Sequence, residues 1–443
     1  MNYTQGDFTQ TNSKSVKCTP KNSHIWGPRT YHKEQKIVAG TRSSALNPNE
    51  EKPFVGEPKL PCMLGKMHLT QQGQPGKFNG VFSWHPKFIT PEQQFFVRSH
   101  GPVPKAGKQA CHKITFLMGK KCKTWHLRDL LSRFPFLKRQ ATLMCAGNRR
   151  SQLAEQGGEG GTERPIEGVP WNCGGIGNGL WGGISLRQVL LTLLPKDLGK
   201  NPNIEFEGAD FSPEEVGRLD RGYIASLPLK YILADIEDNI LLCTEQNGCP
   251  LTPDHGYPLR LVVPGVIGAR SVKWLTTIRL IQGTSKGFFM EEDYKLLNPD
   301  ISEPTLEDWK ILPPAYDFPV TSCISQALQD LKTGTVAVCG YAAAGGGRKI
   351  LRVVVNGREA TLEQKNGWTW CLWKVEFKEP VPFCGEVCCS ATDNSGNVQP
   401  LKMEQVWNAG GIFGNAIDCS DVHFKGEKCE ERVLVLWKRI ARE

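Results

Sequence analysis

The sequence predicts an α+β protein in two bodies: a mixed domain over residues 51–316, then a β-sandwich over residues 317–424. Three observations carry this. At roughly 150 residues per domain, 443 residues make two or three domains. The first body mixes helical periodicity with strand-like runs broken by Gly and Pro. From "YDFPVTSCIS" onward the runs are short and strand-like, separated by Gly, Asn and Asp turns, which is the spacing of a sandwich.

Taken in order, residues 1–50 are polar and without periodicity and read as a disordered tail. "KTWHLRDLLSRFP" (Lys123–Pro135) reads as a short amphipathic helix with Leu127, Leu130 and Leu131 on one face. "KRQATLMCAG" reads as a strand running into a turn, and "GISLRQVLLTLLP" as a second helix stopped by Pro195. His255–Leu280 alternates strand segments with Gly-Pro breaks. In the sandwich, "GTVAVCGYA", "ILRVVVNG", "WTWCLWKVEF" and "GEVCCSATDNSG" are strands. Residues 425–443 form a charged tail, either an appended helix or a loose end.

Composition narrows the function classes. At 39% hydrophobic residues the chain can bury a sizeable core. Its excess of 54 Lys and Arg over 45 acidic residues is mild and comes in no dense basic block, so it suits a small anionic substrate and not nucleic acid. The 16 cysteines include no C-x-x-C and no zinc-finger spacing; Cys384, Cys388 and Cys389 read as strand cysteines packed as small hydrophobes. The opening residues lack a signal-peptide core and no apolar run reaches about 18 residues. An intracellular soluble protein with mostly reduced thiols is therefore expected, away from membranes; cytoplasm, peroxisome and mitochondrion stay open.

The chemistry-bearing stretch is "ATLMCAGNRR", a strand end carrying Cys145 followed by Arg149 and Arg150. Fixed positive charge favours thiolate, the form that attacks electrophiles or binds soft metals. The plainer reading is a buried cysteine beside two surface arginines. "FFVRSHGPVP" adds Arg98 and His100, and "PDHGYPLRLVVPGVIGARSVKW" adds His255, Arg260, Arg270, Ser271 and Lys273 among rigid turns. Cations and hydroxyls on such turns suit a phosphate-bearing cofactor.

Together with "GFFMEEDYK" and "GYAAAGGGR…NVQP…VWN", these stretches resemble the sulfite oxidase family of molybdenum-cofactor enzymes, in order from about Glu51 to Phe424; "GNGLWGGISL" is closest to the plant-type, haem-free members. The resemblance implies a molybdenum-molybdopterin domain, an immunoglobulin-like sandwich that joins two chains in a homodimer, and no haem. It implies that Cys145 is the metal ligand. Phe96, Val97, Arg98, Ser99, His100, Asp210, His255, Arg260, Ser271, Val272 and Lys273 would line the cofactor. Arg98, Arg150, Trp171 and Tyr294 would form the catalytic pocket. The implied reaction is oxidation of sulfite to sulfate by oxygen-atom transfer, with dioxygen as the external electron acceptor. Arg270 stays open between a cation of the cofactor site and a structural ion-pair member. Trp368, Trp370 and Trp373 either anchor the dimer or fill the sandwich core.

One stretch departs from the pattern. Where family members carry a pocket arginine in a "WNLRG"-like segment, this chain reads "VWNAGG" with Gly410, followed by "AIDCSDV". That loss raises an alternative: a divergent paralogue that takes another small oxyanion, or serves as a non-catalytic cofactor store or scaffold.

Overall fold

The computed structural model describes residues 86–423, 433–434 and 436–437, apart from 106, 155–165, 167, 170, 212, 216–217, 331 and 382. The polar stretch 1–50, the start of the first domain and most of the charged tail lie outside the described residues.

The first body is built from β1 (Lys113–Met118), β2 (Lys121–His126), β3 (Phe136–Met144), β4 (Ile176–Ser185), β5 (Pro202–Phe211), β6 (Gly222–Pro228), β7 (Leu241–Gln246), β8 (Cys249–Pro250), β9 (Arg260–Val262) and β10 (Leu275–Gln282). They make two sheets. One has the order β2-β1-β10-β5-β6 and is mixed, since β1 and β10 run parallel and its other pairs antiparallel. The other has the order β3-β4-β7-β8, with β9 also on β7. Glycine is required in β4, where a Cβ on Gly183 would lie 2.1 Å from the Leu242 carbonyl oxygen beside a register shift.

The helices are shorter than the sequence pattern predicts. Lys123–His126 belongs to β2, paired against β1, and only Leu127–Leu131 is helical. The stretch Lys-Thr-Trp-His sits beside a ready strand edge, and the ladder of backbone hydrogen bonds outweighs the helical spacing of the leucines. Leu127 and Leu130 are still the buried ones. Likewise Gly183–Ser185 completes β4, and the helix is Leu186–Leu191, capped by the Ser185 hydroxyl accepting from the Gln188 amide at 3.0 Å.

The sandwich comprises β11 (Thr321–Gln329), β12 (Thr335–Ala343), β13 (Ile350–Val355), β14 (Arg358–Glu359), β15 (Thr361–Glu363), β16 (Cys371–Lys378), β17 (Cys384–Asp393), β18 (Asp418–His423), β19 (Val433–Leu434) and β20 (Leu436–Trp437). Its sheets run β15-β16-β12-β11-β19 and β14-β13-β17-β18-β20. The described part of the tail is therefore neither helix nor loose end: it adds one short edge strand to each sheet. β16 alternates buried and exposed residues strictly enough to read as half-buried strand from sequence alone.

Trp373 is 2% exposed in the sandwich core and Trp370 is 0% exposed in the cluster shared with the first body, so neither is open to a dimer partner, while Trp368 is half-buried. Cys388 is not a free strand cysteine. The register of β17 on β18 sets it opposite Cys419, and the two form a disulfide; Cys384 is exposed and Cys389 buried, both as thiols. One apolar cluster runs from Phe116 and Ile278 of the first sheet to Tyr341 and Trp370 of the sandwich, so the two bodies share a core. Full burial of each such side chain contributes roughly 1.5–3 kcal/mol. No helix among the described residues is long and apolar enough to cross a membrane.

Candidate active site

The apolar end of β3 delivers Cys145 to a turn. Its amide donates to the Gly175 carbonyl at 2.7 Å, and its own carbonyl accepts from the Asn148 amide at 2.9 Å. The thiol is 6% exposed and packs in an aromatic cluster with Phe95, Phe96, Trp171 and Trp181. A Cβ on Gly147 would lie 2.4 Å from the Arg150 guanidinium, so any larger residue here would push that side chain aside.

The two arginines then part. Arg149, held at φ 66°, turns away from the thiol into the sandwich, where it donates to Gln152 Oε1 at 2.7 Å, to the carbonyls of Ser322, Ala416 and Ile417, and to Asp418. The expectation that both arginines crowd Cys145 is corrected: Arg149 is fully buried because its charge and all its donors are needed to hold the sandwich. Arg150 stays by the site. Its Nε donates to the Gly411 carbonyl at 2.8 Å and its Nη1 to the Val169 carbonyl at 2.9 Å. Its charge reaches His100, Asp293 and Tyr294.

Cys145 lies in the wall of a cavity of about 710 Å3, open mouth included. The same wall holds Phe96, Val97, Arg98, Ser99, His100, Asp210, His255, Arg260, Ser271, Val272, Lys273 and Tyr294. Of the residues expected to line the cofactor or form the catalytic pocket, Arg150 and Trp171 are the two outside the wall. Trp171 is fully buried and meets Phe96 edge to face at 6.0 Å. It backs the wall and does not face the cavity.

One end of the cavity is cationic. Arg260 is fixed by donating to the carbonyls of His255 (3.0 Å) and Ser271 (3.3 Å) with its guanidinium over the Trp181 ring; burial brings it down to about 10, still charged at neutral pH. Lys273 donates to the Ser99 hydroxyl and, at 2.9 Å, to the Asp254 carbonyl. His255 is held down to about 3, first by burial and then by Arg260 and Lys273, so it is neutral.

Asp210 enters from a register shift between Glu207 and Phe211 that bends β5 against β6. A Cβ on Gly208 would lie 2.3 Å from its Oδ1, so glycine makes room for it. Burial raises the Asp210 pKa and lowers that of Lys273, each opposed by the other's charge. Asp210 Oδ1 is buried with no hydrogen-bond partner among the described residues.

At the other end, His100 links two of the named residues. Arg98 Nη2 reaches His100 Nδ1 at 3.4 Å, and His100 Nε2 meets the Tyr294 hydroxyl at 2.8 Å. A guanidinium only donates, so Nδ1 accepts and Nε2 carries the hydrogen. Burial first, then Arg98, Arg150 and Lys273, hold His100 well below the ordinary histidine pKa. Burial raises Tyr294 well above the usual phenol range, with Asp293 adding and Arg98 opposing. Among the described residues Arg270 makes no ion pair of the kind weighed for it. It donates to the carbonyls of Phe289 (2.7 Å), Ala315 (3.0 Å) and Tyr294 (3.3 Å), clamping the segment that presents Tyr294.

Sequence reasoning missed Tyr223 and Asp254, which also line the cavity. Tyr223 stacks on His100 with centroids 5.6 Å apart and donates to the Ala269 carbonyl at 2.8 Å. Nothing in "DRGYIASLP" marks it. Asp254 stood beside His255 in a motif already singled out. Gly410 is not in the wall: a Cβ there would lie 3.2 Å from the Trp309 ring and 3.6 Å from the Lys295 carbonyl oxygen.

This geometry has close relatives. A family described as oxidoreductase molybdopterin binding domain matches residues 100–289, and one described as Mo-co oxidoreductase dimerisation domain matches residues 313–418. A sulfite oxidase of Arabidopsis thaliana is 34% identical over 419 residues, 88% of this chain and 96% of that protein. A sulfite oxidase of Gallus gallus is 34% identical over 389 residues, 85% of this chain and 77% of that one. The sulfane dehydrogenase SoxCD of Paracoccus pantotrophus superposes with a TM-score of 0.60 at 21% identity, covering 82% of this chain and 88% of that one, a likeness of fold. A cysteine presented at a strand end to a cation-rich cavity, on a chain matched along almost its whole length, places this protein in the sulfite oxidase family of molybdenum-cofactor oxidoreductases.

Proposed function

We propose that this enzyme oxidises sulfite to sulfate by oxygen-atom transfer, as a homodimer, and passes the electrons to dioxygen. The observation that carries the reading is the convergence of Cys145, Arg98 and the His100–Tyr294 pair on one cavity.

The residues present fit the cofactor. Lys273, Arg260 and Ser271 would hold its phosphate at the cationic end. The partnerless Oδ1 of Asp210 would accept from pterin N–H groups, and the soft sulfur of Cys145 suits the metal. When bound, the molybdenum cofactor supplies a two-electron centre for oxygen-atom transfer.

The chain's own groups do the rest. Arg98 and Arg150 supply positive charge for a dianionic or monoanionic oxyanion. Because His100 donates to Tyr294, the phenol's own proton is left to point toward a ligand in the cavity. Its raised pKa keeps that proton in place through the neutral range. The apolar backing of Phe96 and Trp171 excludes water behind the thiol.

The test is metal analysis of purified protein followed by sulfite-dependent oxygen consumption and peroxide release. About one molybdenum per chain with stoichiometric peroxide supports the reading. Molybdenum without sulfite turnover supports the second reading, a cofactor-binding paralogue for another small oxyanion, which the glycine at 410 in place of the expected arginine favours.

A further inference from the structure

Tyr294 is held in a backbone conformation that its residue type seldom adopts. Its φ of 51° lies in the left-handed region, which a bulky side chain occupies only where its surroundings impose it. The stretch leading to it is one turn of helix, Phe288–Glu291. So short a helix does not stand by itself, and what fixes Tyr294 is therefore contact with other segments. Arg270 grips one side through the carbonyls of Phe289 and Tyr294. The connection from β5 to β6 grips the other.

Glu215, at the end of the 3-10 turn Pro213–Glu215, is fully buried. Its Oε1 accepts from the Phe288 amide at 2.6 Å, where the helix begins. A Cβ on Gly287 would lie 3.0 Å from the same oxygen, so the glycine leaves the carboxylate its room. Oε2 is buried with no hydrogen-bond partner among the described residues. The Glu215 carbonyl accepts from the amides of Arg218 (3.1 Å), Leu219 (3.2 Å) and Asp220 (3.0 Å), which curls the chain back on itself. The curl brings Arg218 to the far end of the same helix. Its Nη2 reaches Glu291 Oε2 at 2.6 Å, its Nη1 Glu292 Oε1 at 2.5 Å, and its Nε donates to the Lys286 carbonyl at 3.2 Å. Further along, β6 sets Tyr223 against Phe289 with centroids 4.5 Å apart, and Phe289 packs on His100 at 4.2 Å.

We propose that Glu215 and Arg218 are positioning residues, which grip the two ends of Phe288–Glu291 and so fix the Tyr294 hydroxyl against His100. Neither belongs to the cavity wall, so both act through Tyr294 and not on a ligand. The proposal rests on the reading of Tyr294 as a group of the reacting site, and the order of its segment can be measured apart from turnover.

Hydrogen–deuterium exchange of the full-length protein as purified is read peptide by peptide in wild type, Glu215→Ala, Glu215→Gln and Arg218→Ala. The amides of Met290, Glu291, Glu292 and Asp293 donate to the carbonyls of Gly287 and Phe288, so they report whether the helix is held. They should exchange about tenfold faster in Glu215→Ala and several-fold faster in Arg218→Ala. In Glu215→Gln, whose amide oxygen still accepts from Phe288, they should stay near wild type, and Ile176–Ser185 of β4 should not change in any variant. Wild-type exchange in either alanine variant overturns the proposal. So does an equal rise in β4, which marks general loosening, and so does Glu215→Gln exchanging as fast as Glu215→Ala. Should Glu215→Ala fail to fold, Arg218→Ala decides alone, since that side chain is 25% exposed and its truncation opens no core. Turnover is the second readout. Glu215→Ala should lower kcat for sulfite about fivefold, as for one hydrogen bond lost at Tyr294, with KM changed less than about twofold. In a Tyr294→Phe background it should lower kcat no further, and multiplication of the two losses overturns the proposal. A protein without sulfite turnover refutes the reaction assigned above and leaves the exchange result to decide this one.

Discussion

The guanidinium of Arg149 and the carboxylate of Asp418 lie 3.5 Å apart with side chains 0% and 4% exposed, and they tie the turn after Cys145 to the first residue of β18. The active-site strand end and the sandwich are thereby one mechanical unit. Asp418 also accepts from Gln152 at 3.0 Å and from the Ile324 amide at 2.9 Å.

Removing one partner of a buried pair leaves the other uncompensated, which costs about 3–5 kcal/mol. Arg149→Ala is expected to lose that much in urea unfolding. Arg149→Lys should recover little, because a lysine cannot reach several carbonyls at once. A loss below about 1 kcal/mol would show that the pair is incidental to stability.

Cys145→Ser should retain the wild-type circular dichroism spectrum and lose turnover, since a hydroxyl is a hard, weakly acidic substitute for thiolate. Full activity in this variant would refute Cys145 as metal ligand.

By the family resemblance, Gly410 stands where a pocket arginine is expected. A charge-assisted hydrogen bond is worth about 1.5–3 kcal/mol, so its absence should raise the KM for sulfite about 10- to 100-fold relative to a three-arginine pocket. The Trp309 ring crowds a side chain at 410, whose Cβ would lie 3.2 Å from it. Gly410→Arg alone should therefore recover little, whereas Gly410→Arg with Trp309→Ala should lower KM about tenfold. Gly410→Ala is the control for backbone effects; an unchanged KM in the double variant places position 410 outside the substrate's reach.

His100→Phe should lower kcat about fivefold through the lost hydrogen bond to Tyr294, taken at about 1 kcal/mol. Tyr294→Phe should do at least as much. If His100 acts by orienting the phenol, the double variant is no worse than Tyr294→Phe. Strict multiplication of the two losses would mean that the residues act independently.

His255 sets a pH dependence for the cofactor-free protein. Its folded pKa of about 3 lies below the ordinary 6.5, so between these values the unfolded chain binds the extra proton. Stability therefore rises with pH across that window and falls on acidification from about 6.5, at up to about 1.4 kcal/mol per unit for this residue. Urea midpoints at pH 7 and pH 5 should differ by less in His255→Gln; equal slopes would assign the acid sensitivity to other groups, His100 first among them.

How far the sequence reached can be followed residue by residue. The order of elements, the sandwich, and the membership of Arg98, His100, Cys145, Arg260 and Lys273 in one site were legible, because each sits in a contiguous motif whose local geometry is set by strand ends and by Gly and Pro turns. The 16 cysteines, by contrast, carried no sign of which would pair.

Only tertiary structure decided the rest, because it depends on contacts between distant segments. Adjacent in sequence, Arg149 and Arg150 take different partners, since a positive φ at Arg149 turns it to Asp418 and the Ala416 carbonyl and leaves Arg150 on the carbonyls of Gly411 and Val169. Tyr223, on β6, joins His100 from a segment 123 residues away in sequence and has no local signature. The Lys123–His126 segment became strand because β1 offered it a partner. Local propensity and motif chemistry are written within a few residues, whereas the direction of a side chain, the pairing of a thiol and the occupant of the space at Gly410 are settled by what the folded chain brings opposite them.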